Sequence, residues 1–149
     1  QTTMRVLRAF PPEKADLRPD PSCRSAHELA WVFVMERGLG VMVFTNEFEQ
    51  KMGGPMPEPP EAWEDVLTAL ESAHADFGDL IRRTPEEELF ETVRFFTGPQ
   101  TMGDISRLDW IWFLLHDEIH HRGQFSVYLR MAGGKVPSIY GPSSDEPWF

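Results

Sequence analysis

Apolar residues recur at helical spacing through most of this chain. The clearest run is Trp63, Val66, Leu67, Leu70, Ala73, Phe77 and Ile81, a stripe of period 3.6 that opens on Pro60-Glu61, a first-turn proline and acid. A second helix is predicted from Ser25, where Ser25-Ala26-His27-Glu28 has the form of a capping box directly before the nearly continuous apolar run Leu29, Trp31, Val32, Phe33, Val34 and Met35. Gly38 and Gly40 weaken the middle of that helix, and periodicity leaves open whether Val41-Met42-Val43-Phe44 continues it. The longest helix is predicted over residues 104–132 and is ended by Gly133-Gly134. At the start of the chain, Met4 to Phe10 reads as the last turns of a helix ended by Pro11-Pro12. Between these segments lie a short proline-bearing loop up to Ser22, a Pro/Gly-rich linker over 51–60 and a short helical turn at Thr84-Pro85-Glu86-Glu87. Residues 90–96 have an ambiguous period, broken by Gly98-Pro99. With no convincing alternating strand, the pattern predicts an all-α, antiparallel four-helix bundle forming one domain over 1–149.

Composition narrows the function classes. Fourteen Lys and Arg oppose 24 Asp and Glu, a formal charge of -10 with no basic stripe, which argues against nucleic-acid binding. No apolar run reaches the length of a membrane span or resembles a signal peptide, and one cysteine excludes an intrachain disulfide. These features suit a cytoplasmic protein with no membrane partner. Cys23 stands beside Arg24, but an isolated cysteine is ordinarily inert and is not assigned a nucleophilic role.

The chemistry concentrates in His116-Asp117-Glu118-Ile119-His120-His121-Arg122-Gly123-Gln124, which holds three of the five histidines. Residues four apart on a helix share a face, so two clamps are available, His116 with His120 and Asp117 with His121, about 100° apart around the axis. A histidine-rich turn also serves as a plain hydrogen-bonded cluster. His27, the first histidine of the chain, opens a buried helix and is the candidate third ligand from across the core. His74 lies beside an apolar stripe and reads as a surface or hydrogen-bonded residue rather than a ligand. Glu118 and Asp109 read as solvated or paired charges, and Arg122 as a clamp on a neighbouring carboxylate such as Glu28. Trp110, Trp112 and Phe113 read as core or dimer interface.

The run His120-His121-Arg122-Gly123-Gln124, then Tyr128-Leu129-Arg130, Gly133-Gly134, Val136-Pro137 and Tyr140-Gly141-Pro142, resembles the C-terminal signature of the DinB/YfiT-like superfamily. The likeness extends to Phe10-Pro11, Leu17-Arg18-Pro19 and residues 25–31, with a shorter first helix. Members are metal-binding four-helix bundles, of the damage-inducible family, that include bacterial thiol-dependent transferases. The resemblance implies a divalent ion, zinc or nickel, with iron also compatible with the donors, held by an early-helix ligand and by Asp117 with His121; His27 completes the expected set. Many members carry His where Asp117 stands, and the early ligand often follows the Leu-Ala-Trp run, where this chain has Val32. Two function classes follow: a metal-dependent enzyme, either an S-transferase using a low-molecular-weight thiol or a hydrolase, acting on a small electrophilic substrate; or a non-catalytic, stress-associated metal-binding module. In the first, His120 or His116 moves the proton and Gln124 points into the site or orients a ligand. The apolar excess on the second and last helices predicts a homodimer.

Overall fold

A computed structural model describes residues 2–149. The chain runs α1 (Thr2–Arg8), a 3-10 turn (Pro12–Lys14), α2 (Ala26–Phe44), the single turn α3 (Phe48–Lys51), α4 (Trp63–Arg83), a second 3-10 turn (Glu86–Phe90), β1 (Thr92–Gly98), β2 (Thr101–Ser106) and α5 (Arg107–Met131). Helix α2 starts with a complete capping box: the Ser25 hydroxyl accepts from the Glu28 amide, and the Glu28 carboxylate accepts from the Ser25 amide. It then continues unbroken through both glycines to Phe44. At Gly40 the side chains of α4 and α5 press against the α2 backbone, since a Cβ there would stand 3.0 Å from the side chains of both Leu114 and Phe77.

Two expectations are corrected. First, the fold is mostly helical but not all-α. Residues 92–106 form an antiparallel hairpin in which Val93 and Phe95 point inward, Phe95 packs on Trp110 at 4.3 Å between ring centroids, and Arg94 faces its register partner Asp104. Asp104 therefore lies in β2, and the last helix begins at Arg107 behind an N-cap on Ser106. Second, the long helices do not simply alternate in direction. His27 lies beside Trp63, Arg37 bonds His74, and Phe44 packs on Phe77, so contacts climb α2 and α4 together and the two run parallel. Residues 45–62 carry the chain back between them. Helix α5 runs against α2: Gly40 meets Leu114, and Glu36 meets His121 further along α5.

The core is divided by height. One apolar cluster holds Leu7, Phe10, Leu29, Phe33, Trp63, Leu70, Phe125 and Leu129; the other holds Val43, Phe44, Phe77, Val93, Phe95, Trp110 and Leu114. Between them four helices contribute polar groups: Thr3 from α1, Glu36 and Arg37 from α2, His74 from α4, and Asp117, Glu118, His121 and Arg122 from α5. This belt positions the site. Within it Arg37 donates to Glu118 and, at 3.3 Å, to Nδ1 of His74, and Thr3 donates to Glu118. Arg122 donates to the Thr3 hydroxyl at 3.1 Å and to the Tyr140 hydroxyl, with its guanidinium over the Tyr140 ring. Arg122 thus does not clamp Glu28, whose carboxylate pairs with Arg18 at 2.9 Å. No helix among the described residues is long and apolar enough to cross a membrane.

Candidate metal centre

On the side of the belt where α2 faces α5, three potential ligands converge. Nε2 of His121 lies 3.5 Å from Oε1 of Glu36 and 3.6 Å from Oδ1 of Asp117, and one donor atom from each residue falls within 4.8 Å of the others. Ligands about 2.1 Å from a shared ion take separations of this size. Helical periodicity brings Asp117 and His121 together on one face of α5, and the antiparallel crossing sets Glu36 of α2 opposite them.

Glu36 is the unusual member. Its side chain is 4% exposed, and neither carboxylate oxygen has a hydrogen-bond partner among the described residues. The nearest guanidinium nitrogen, Nη1 of Arg37, stands 3.9 Å away while the same group bonds Glu118 and His74. Burial, reinforced by the Asp117 charge, pushes the Glu36 carboxyl up to about 8. A bare buried carboxylate costs free energy unless a proton or a cation compensates it. A divalent ion fits the gap between Glu36, Asp117 and His121.

The imidazole of His121 is oriented from behind by Gln124. The Gln124 amide oxygen lies 3.1 Å from Nδ1 of His121, and its amide nitrogen 2.9 Å from Nε2 of His120. With the amide in this orientation Nδ1 of His121 carries the proton, which leaves the Nε2 lone pair directed at the two carboxylates. Phe33 closes the inner side of the ring, edge-on at 6.4 Å. The centre opens outward past Asp117, whose side chain is 38% exposed against 16% for His121.

The sequence-predicted residues thus separate. Asp117 and His121 come together, with Gln124 directly behind His121. His120 and His116 are exposed on another face of α5, His116 against Trp112. His27 does not join the cluster: it stands nine residues before Glu36 on the same helix, about 13 Å along the axis, with its ring 6.3 Å from Trp63 and its Nε2 buried and unpartnered among the described residues. The structure thus gathers Glu36, and not His27, with Asp117 and His121. Sequence reasoning missed Glu36, although it directly follows the apolar run Leu29–Met35, one turn beyond Val32 on the same face. A lone acid in a buried run was the available signal.

The fold has close counterparts among solved structures. A DinB-like protein from Bacillus cereus superposes with a TM-score of 0.72 at 20% identity, covering 93% of this chain and 89% of that one. The DinB-like protein YjoA of Bacillus subtilis superposes with a TM-score of 0.71 at 16% identity, covering 91% and 88%. At these identities the likeness shows the fold. In sequence, 36 residues are 50% identical to the uncharacterized protein YrdA of Bacillus subtilis strain 168, so the match spans 24% of this chain and about a fifth of that protein's length, 22%. The DinB family model matches residues 1–148, and with that match, the helical frame and the polar belt carrying Asp117 and His121, this chain belongs to the DinB family.

Proposed function

We propose that this chain is a divalent-metal-dependent enzyme on a four-helix-bundle frame, with Glu36, Asp117 and His121 holding the ion. The observation that carries the reading is the buried carboxylate of Glu36, unpartnered and facing, together with Asp117, the lone pair of His121. When bound, the ion supplies Lewis acidity to a small thiol or a water, activating it toward a small electrophile. Gln124 fixes the tautomer of His121. His120, exposed and joined to His121 through Gln124, is the group set to take the released proton at the solvent edge. Phe33 and the two apolar clusters keep water from the inner side, so the electrophile approaches past Asp117.

Elemental analysis of untagged protein tests the ion directly, with about one divalent ion per chain expected. Turnover of a model electrophile by a low-molecular-weight thiol, lost on chelation and restored by metal, tests the transferase arm; hydrolysis without added thiol points to the other. A loaded protein that turns over neither supports a binding module instead. One observation favours that second reading: Trp112, Phe113 and Leu115 are 53%, 44% and 40% exposed on α5, an apolar surface suited to a second copy of the chain. Sedimentation at micromolar concentration yielding a species of twice 17.2 kDa supports the homodimer; a single species at 17.2 kDa refutes it.

A further inference from the structure

Two of the three donors at the centre are carboxylates and one is an imidazole. We infer that this centre is biased toward hard, oxygen-preferring divalent ions, manganese(II) or ferrous iron, relative to an imidazole-rich centre of the same geometry; the inference rests on the reading that the triad holds an ion. Carboxylates suit manganese and other hard cations, whereas imidazole-rich and thiolate-rich sets suit zinc, nickel and copper. No sulfur adds to this set: the one cysteine, Cys23, lies in the loop before α2, and nearly three turns of that helix separate its start from Glu36. The single nitrogen, in turn, sets the site apart from the all-oxygen shells that calcium takes.

Two further features point the same way. Oε1 of Glu36 faces Nε2 of His121 with no hydrogen bond of its own, so it is available as an oxygen ligand of the kind hard ions take. The cluster is closed on the Glu36 side and open past Asp117, which leaves room for water or substrate oxygens to fill a shell wider than four. Charge adds to the argument. Arg37 is committed to Glu118 and His74, so among the described residues no cationic side chain hydrogen-bonds either carboxylate in competition with an ion. The site's demand is for charge compensation by oxygen ligation, with little premium on soft donors.

Zinc binds most nitrogen and oxygen sites more tightly than manganese in absolute terms, so the test is relative. Metal-free wild-type protein is titrated with manganese(II), binding being read from the loss of the free-ion paramagnetic resonance signal, and separately with zinc(II) by calorimetry. One manganese per chain is expected. Glu36→His should shift the zinc-over-manganese preference by about tenfold or more toward zinc. Asp117→His, at a half-exposed position that tolerates the larger ring, should shift it in the same direction, with circular dichroism confirming that each variant is folded. If zinc binds stoichiometrically while the manganese signal is untouched, or if neither histidine variant moves the preference, the hard-ion inference is overturned and the metal-site reading stands. If neither ion binds, both fall together.

Discussion

Glu36 and Glu118 sit at the same height of the helical frame, one on α2 and one on α5, and both carry carboxylates withdrawn from water. Their surroundings are opposite. Glu118 accepts from Arg37 and Thr3 and has Arg122 at 3.9 Å; burial alone would raise its carboxyl, but Arg37, the Thr3 hydrogen bond and Arg122 together hold it below the ordinary range. Glu36 accepts from no donor, and burial with the neighbouring Asp117 charge raises it to about 8. Arg37 touches both, yet its geometry serves only one. A buried carboxylate ringed by donors belongs to the scaffold; one left bare beside an imidazole and a second carboxylate belongs to a site.

The largest effect that separates the two is on stability. In metal-free protein Glu118→Ala should cost about 3–5 kcal/mol, because Arg37 is left buried without its partner, whereas Glu36→Gln should be neutral or stabilising. Urea unfolding of both variants checks this, and equal losses would erase the distinction.

Next comes the pH dependence. Folded Glu36 retains a proton that the unfolded chain releases near 4.5, so metal-free wild type should lose stability as pH rises from 4.5 through about 8 and then level off. Glu118 contributes in the opposite sense: its folded value is lowered, so its stabilisation is present above the unfolded carboxylate value and is lost as pH falls through the folded one. Thermal melts across this range should show the alkaline loss in wild type and not in Glu36→Gln.

Ion binding should then raise stability by about 2.7 kcal/mol at a hundredfold excess over Kd. His121→Ala should abolish that gain, and Gln124→Ala should weaken affinity by about 10- to 100-fold through the freed imidazole. The smallest effect expected is none: His116→Ala should leave ion affinity unchanged. If His116→Ala releases the ion while His121→Ala retains it, the face of α5 has been assigned wrongly.

Part of this arrangement was legible along the chain. The Ser25–Glu28 capping box, the stripe of α4 and the Asp117/His121 spacing are local features, set by contacts within one or two helical turns, and each appears in the structure where the sequence put it. The hairpin was not legible because Phe95-Phe96 is adjacent rather than alternating, and its inward residues are identified only by Trp110 and Phe48 on the other side. Gly40 read as a weakness of α2, whereas its missing side chain is what admits Leu114 and Phe77.

By itself, then, the sequence determined the long helical segments, the Ser25 cap and the two i, i+4 pairs available on α5, because backbone propensity and i, i+4 geometry act over a few residues. Only the tertiary structure decided which residue completes the cluster. The parallel run of α2 and α4 and the antiparallel crossing of α5 bring Glu36, and not His27, to the height of His121, and Arg37 turns toward Glu118 and His74. Whether a buried acid is satisfied or bare depends on which donors other helices deliver to it, and no local pattern on its own helix encodes that.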